Sequence, residues 1–212
     1  MRGYLVQPSG TGPFPAVLVV HENRGLNPHI EDVARRAAVE GFVALAPDGL
    51  SPIGGYPGKD DDGKEMQRSL DGKKLFTDLL NGAKFLKSHE LSNGKLGVTG
   101  FCYGGWVTNQ IAVEMGGDLS AGVPFYGRAP KTEEVSNIKA KMMLQCASDD
   151  ERVNATMPDY EAALRAAGVS HQTYVYTDTK HGFHNNSTPR YNEQAAKLAW
   201  ERTVAFFKEN LA

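Results

Sequence analysis

Two unbroken apolar runs, Pro15 to Val20 and Phe42 to Ala46, constrain this chain more than any other feature of its sequence. A strand with one wet face alternates apolar and polar residues, whereas a continuous run needs cover on both faces, the situation of a mostly parallel sheet between two helical layers. The segments between such runs carry helical spacing. Ile30 to Glu40 places Ile30, Val33, Ala34, Ala37 and Ala38 on one face and stops at Gly41. Helical pattern also runs from Glu65 through Leu86, from Trp106 to Met115, from Pro158 to Ala167 and from Asn192 to Asn210. Further strands are predicted at Lys95 to Thr99, Ala121 to Tyr126, Ala140 to Ala147 and His171 to Tyr176. Strand and helix alternate along the whole chain, which predicts an α/β fold with helices on both faces of the sheet.

A length of 212 residues suits one such domain, spanning 1–212, and 41% hydrophobic residues suffice for its core. With 23 basic against 25 acidic residues the formal charge is -2, so no basic field favours nucleic acid. No apolar stretch approaches the roughly 20 residues of a membrane span. The two cysteines, Cys102 and Cys146, stand in unrelated contexts and form no disulfide framework, and no leader pattern precedes the first strand-like segment. These features together predict a reducing, cytoplasmic setting, with a monomer or homodimer that meets neither nucleic acid nor membrane. From Ser51 to Lys64 the residues Gly54, Gly55, Pro57, Gly58 and the acidic run Asp60-Asp61-Asp62 predict a loop, either a solvated excursion or a flap over a site.

The chemistry centres on Gly100-Phe101-Cys102-Tyr103-Gly104-Gly105, a G-x-C-x-G-G sequence set between a predicted strand and a predicted helix. It has the form of a nucleophile elbow with cysteine in place of serine. The turn strains its central residue, and its glycines are needed where a Cβ would strike the adjoining strand and helix. The thiol then stands at a helix N-terminus, which favours thiolate. Cys146, inside a predicted strand, is expected to be a buried hydrophobe. A thiol nucleophile requires a base and an orienting carboxylate, in the order nucleophile, acid, histidine for this architecture. Asp149 and Asp150 follow one strand and His181 and His184 follow the last, so all four open on the sheet edge that the elbow faces. Gly182 leaves room beside His181, which makes His181 the favoured base and His184 its neighbour.

These residues resemble the dienelactone hydrolase (carboxymethylenebutenolidase) family of α/β-hydrolases. The resemblance runs through His21-Glu22-Asn23-Arg24-Gly25, Ala46-Pro47-Asp48, the cysteine elbow, Asp150 with Val153 three residues on, and His181-Gly182-Phe183. It implies a catalytic triad of Cys102, Asp150 and His181, and an oxyanion hole formed by the backbone N–H groups of Asn23 and Tyr103. It also implies that Glu22 is a carboxylate beside Cys102 that disfavours free thiolate. The implied reaction cleaves a small ester or lactone through a thioester acyl-enzyme, with no cofactor and no metal.

The sequence departs from the family in two places. The first strand is shortened or absent, the chain opening at Arg2 to Val6. Where members acting on carboxylate-bearing lactones carry arginines, this chain has Ser51-Pro52 and Asn185, so neutral substrates are expected. A thiol redox enzyme would use the same cysteine but lacks a resolving partner other than Cys146. A non-catalytic small-molecule receptor would have no need of nucleophile, acid and base in register.

Overall fold

The apolar runs become the central strands of the sheet. Phe14–Val20 forms β2, buried along its last five residues, and Val43–Asp48 forms β3, buried throughout. In the computed structural model, which describes residues 1–212, they pair in parallel with each other, and β2 also pairs with β4 (Ser92–Phe101). Beyond β4 the sheet continues in parallel through β5 (Ala121–Phe125), β6 (Lys141–Asp149) and β7 (His171–Lys180). Arg2–Val6 does form a strand, β1, five residues long and antiparallel to β3 at the sheet edge, giving the order β1-β3-β2-β4-β5-β6-β7.

Two apolar layers cover this sheet. On one face Ala16, Leu18, Val20 and Val98 pack against α3 (Gly72–Lys87), α4 (Tyr103–Met115) and α6 (Met157–Ala166). On the other, Val17, Val19, Ala44 and Phe101 pack against α1 (Pro28–Val39) and α7 (Glu193–Leu211). Successive residues of β2 therefore feed opposite cores, which is why its sequence shows no polar alternation.

Two stretches differ from the sequence expectation. The acidic run predicted as loop is the first turn of α2 (Asp60–Arg68), and Ser51–Ile53 is a single 3-10 turn. Carboxylates at a helix N-terminus face the positive end of its dipole, so this composition starts a helix there. The helical pattern from Glu65 to Leu86 is interrupted at Ser69 to Asp71, where the Asp71 carboxylate accepts from the N–H groups of Lys73 and Lys74 at 2.9 and 3.2 Å and begins α3 anew. The acidic cap thus turns one predicted helix into two.

The close approach of α4 to the sheet rests on glycine. A Cβ on Gly104 would lie 2.3 Å from the Val20 carbonyl oxygen and 2.7 Å from that of His21, and neither backbone atom can swing away. Gly104→Ala should therefore cost about 3 kcal/mol or more by overpacking. Chemical denaturation measures this; a loss below about 1 kcal/mol would show that α4 can shift outward.

Candidate active site

Cys102 lies between β4 and α4 with φ 57° and ψ -108°, a left-handed conformation that a side chain rarely adopts. Its backbone is fixed on both sides. The Cys102 N–H donates to the Phe125 carbonyl at 3.1 Å, and the Cys102 carbonyl accepts from Gly105 and Trp106 at 3.1 and 3.2 Å. Gly100, Gly104 and Gly105 are each backed by backbone at 2.2 to 2.5 Å from where a Cβ would stand. The thiol is half-buried at the head of a thirteen-residue helix.

The loops after β6 and β7 bring Asp150 and His181 together. His181 Nδ1 lies 2.5 Å from Asp150 Oδ2, and the other carboxylate oxygen accepts from the Val153 N–H at 3.4 Å, capping the short helix α5 (Glu151–Asn154). Asp149 is exposed, and its Oδ1 instead accepts from the Ser148 hydroxyl at 3.0 Å. His181 Nε2 is buried and unpartnered. Burial alone would disfavour the imidazolium, but hydrogen bonding and charge from Asp150 and from the neighbouring Cys102 outweigh it and raise the His181 pKa to about 9. His184 sits elsewhere. It is buried with its ring stacked on Phe101 at 4.9 Å, and burial, with the charges of His29 and Arg36, pushes its pKa well below the usual value.

Asn23 and Tyr103 line one cavity of about 400 Å³ with Cys102, Trp106 and Tyr126. Tyr103 is the first residue of α4, so its N–H has no acceptor in the preceding turn. The same cavity is lined by two arginines that the sequence did not single out, Arg128 and Arg152. Both are exposed, and neither lies within salt-bridge distance of an acid. Their signal lay in chain position. Arg128 follows β5 and Arg152 follows β6, so both leave strand ends on the edge where Cys102 stands.

Glu22 is buried. Its Oε2 accepts from Asn185 Nδ2 at 2.7 Å and lies 3.7 Å from Arg24 Nε. Arg24 in turn donates to Asp60 at 3.0 Å. Asn185, which stands where the resemblance leads one to expect an arginine, is thereby engaged with Glu22, and Arg24 with Asp60 and Glu22. Cys146 is buried in β6, and burial pushes its thiol pKa up to about 12. No cluster of three or more His, Cys, Asp or Glu side chains is placed to hold a metal ion, and no helix is long and apolar enough to cross a membrane.

Comparison with known proteins places these observations in a family. The model of the dienelactone hydrolase family matches residues 1–211. A provisionally named carboxymethylenebutenolidase of Methylorubrum extorquens is 31% identical, covering 97% of this chain and 76% of that protein. A provisionally named hydrolase fragment of Escherichia coli is 67% identical over 72 residues, which is 34% of this chain and 62% of the fragment. Among solved structures, a provisionally assigned dienelactone hydrolase of Klebsiella pneumoniae superposes with a TM-score of 0.84 at 29% identity, covering 98% of this chain and 92% of that one. The sheet order and the helices on both faces are those of an α/β-hydrolase.

The raised pKa of His181 depends on Asp150 and can be tested through it. Asp150→Asn should lower the imidazole pKa from about 9 toward 6.5, read from the titration of its ring resonances. Because the folded value exceeds the unfolded one, this group's contribution to stability is complete below about pH 6.5 and fades as pH rises through 9. A midpoint unmoved by the substitution would exclude Asp150 as the partner that holds the proton.

Proposed function

Because this chain belongs to the dienelactone hydrolase family and is a hydrolase of that kind, we propose that it cleaves carboxylic esters or lactones with Cys102 as nucleophile. The observation that carries this reading is a strained cysteine at a helix head, beside the unpartnered Nε2 of a histidine whose Nδ1 is paired with a buried aspartate. Cys102 gives its thiol proton to His181 Nε2 as its sulfur attacks the carbonyl carbon, and the carbonyl π pair moves onto oxygen, between the N–H groups of Asn23 and Tyr103. The tetrahedral intermediate collapses to a thioester as the C–O bond breaks, and His181 gives its Nε2 proton to the departing alkoxide. Water, deprotonated by His181, then attacks the thioester and returns the thiol and a carboxylic acid. Residues 1–212 act as one catalytic domain in this scheme. The short distance from Asp150 to His181 Nδ1 keeps Nε2 directed at sulfur and balances the imidazolium as it forms.

The cavity wall supports a charged substrate class beside the neutral one that the sequence leads one to expect. That expectation rests on Ser51-Pro52 and Asn185, but Arg128 and Arg152 place two unpaired cations round the nucleophile, and no acidic residue lines the cavity. An ester carrying a carboxylate is the substrate this wall suits.

Cys102→Ala should abolish hydrolysis of p-nitrophenyl acetate. Iodoacetamide should alkylate Cys102 and spare Cys146, whose thiol stays protonated below about pH 12. Turnover by the alanine variant would remove cysteine catalysis. Mono-p-nitrophenyl succinate should be hydrolysed with a kcat/KM about 10-fold above that of p-nitrophenyl butyrate, equivalent to about 1.4 kcal/mol. The ratio should fall toward one in 1 M salt and in Arg128→Gln or Arg152→Gln. A ratio below one in the unsubstituted enzyme would restore the neutral preference.

A further inference from the structure

His21 is fully buried and takes no part in the chemistry above, yet both of its ring nitrogens are engaged. Nε2 lies 3.1 Å from the Gly49 nitrogen and accepts its N–H, while Nδ1 lies 2.6 Å from the Glu22 carbonyl oxygen. A nitrogen that accepts an N–H carries no proton, so the proton of the neutral ring sits on Nδ1 and is donated to Glu22. Burial, the largest influence on this ring, lowers its pKa and keeps it neutral. Gly49 thereby fixes the tautomer, and the tautomer fixes the bond to Glu22.

The Glu22 carbonyl belongs to the same peptide unit as the Asn23 N–H. That unit is trans, the only cis bond of the chain being Gly12-Pro13. In a planar trans peptide the C=O and N–H point in opposite directions, so a donor that anchors the oxygen also aims the hydrogen. We infer that His21 is a positioning residue that aims the Asn23 N–H at the developing oxyanion by holding the Glu22 carbonyl from behind. The inference rests on the reading of Asn23 as an oxyanion donor. A hydrogen bond to the carbonyl also polarises the amide and strengthens its N–H as a donor.

The surroundings give the ring no freedom to serve otherwise. The His21 carbonyl abuts Gly104 of the elbow, where a Cβ would stand 2.7 Å away, so the chain segment of one donor packs on the turn carrying the other. A Cβ on Gly49 would lie 2.8 Å from His21 Nε2, which makes glycine the residue that lets the β3 exit reach the ring.

The test separates the two ring nitrogens. An asparagine amide can take the place of Nδ1 and donate to Glu22, whereas a glutamine amide reaches the position of Nε2 and keeps only the contact with Gly49. His21→Gln should lower kcat for p-nitrophenyl acetate by about 10- to 100-fold with KM within about two-fold, and His21→Asn should recover most of the loss. The matching thionoester supplies a readout that general disorder would not move, since sulfur is a weak hydrogen-bond acceptor and gains little from the oxyanion donors. The ester-to-thionoester ratio of kcat should fall in His21→Gln by at least about five-fold. Equal losses on both substrates, or no recovery by His21→Asn, overturn the assignment of His21 and leave Cys102 as nucleophile. A ratio near one in the unsubstituted enzyme overturns the Asn23 and Tyr103 oxyanion hole, and the role of His21 with it. Ring ¹⁵N shifts of the unsubstituted protein give an answer independent of any variant's folding. A neutral Nδ1–H tautomer is expected at neutral pH, and an Nε2–H tautomer overturns the inference.

Discussion

The site depends on how closely α4 can approach the carboxyl end of β2. At Gly104 the separation leaves no room for a methyl group, because the carbonyl oxygens of Val20 and His21 stand where it would be. Two consequences follow from this one contact. The thiol is carried to the end of the sheet on a backbone that packing holds in a left-handed conformation, whose strain of about 1–3 kcal/mol the two flanking cores must offset. The β2 exit loop is also drawn against the elbow, so Asn23 and Tyr103 line the same cavity as Cys102. The groups that the proposed reaction uses as nucleophile and oxyanion donors are thus brought to one cavity by backbone packing.

Charge round the thiol is arranged so that each buried group has a counterpart. Glu22 is held by Asn185 and Arg24, Arg24 is shared with Asp60, and Asp150 is paired with His181. A carboxylate buried without such partners would be strongly disfavoured. Glu22, which the resemblance makes a carboxylate disfavouring free thiolate, has Arg24 as its nearest cation at 3.7 Å. Arg128 and Arg152 at the cavity wall have no acidic partner, and Nε2 of His181 has no hydrogen-bond partner, as is also true of the Tyr103 and Tyr126 hydroxyls in the same cavity. Of these, the proposed reaction would engage His181 Nε2 and the two arginines.

The elements that carry the chemistry were legible because their sequence signals are local. The glycines of the elbow, the apolar runs of β2 and β3 and the order of Cys102, Asp150 and His181 each read directly from short stretches. The family resemblance, through Val153 three residues on, favours Asp150 over Asp149, and the Val153 N–H contacts Asp150 Oδ1, while Gly182 favours His181 over His184. The misread features depend on contacts distant in sequence. Nothing near Asp60 reveals that its carboxylate accepts from Arg24, Asn27 and Tyr56 and belongs to a helix that packs on the β2 exit loop. Arg128 and Arg152 are not singled out by the sequence because the cavity they line forms only when four strand ends converge. His21 was noticed only as part of a motif, for its partner Gly49 lies 28 residues away.

The segment from Ser51 to Lys64, which composition offered as a solvated excursion or a flap, is with the rest of α2 better understood as a buttress. A flap must separate from the site to admit substrate, so its contacts should be few and wet. This segment instead makes contacts that fix backbone. Gln67 Oε1 accepts from the Gly25 N–H at 3.0 Å, Asp60 binds Arg24 and Asn27, and the Arg24 carbonyl lies 2.4 Å from where a Cβ on Gly63 would stand. Asp48 Oδ1, at the end of β3, accepts from Leu26 and Leu50 and ties the same loop to the sheet. With His21 holding the Glu22 carbonyl at the loop's start, the run from His21 to Asn27 is anchored at nearly every residue. Lifting the segment would break these bonds and release the peptide whose N–H must already be aimed when charge develops on the carbonyl oxygen. Preorganised donors lower a barrier because they need not reorient during the reaction. For the proposed reaction an anchored loop therefore serves better than a mobile cover, and Arg128 and Arg152 line the cavity on the side away from it.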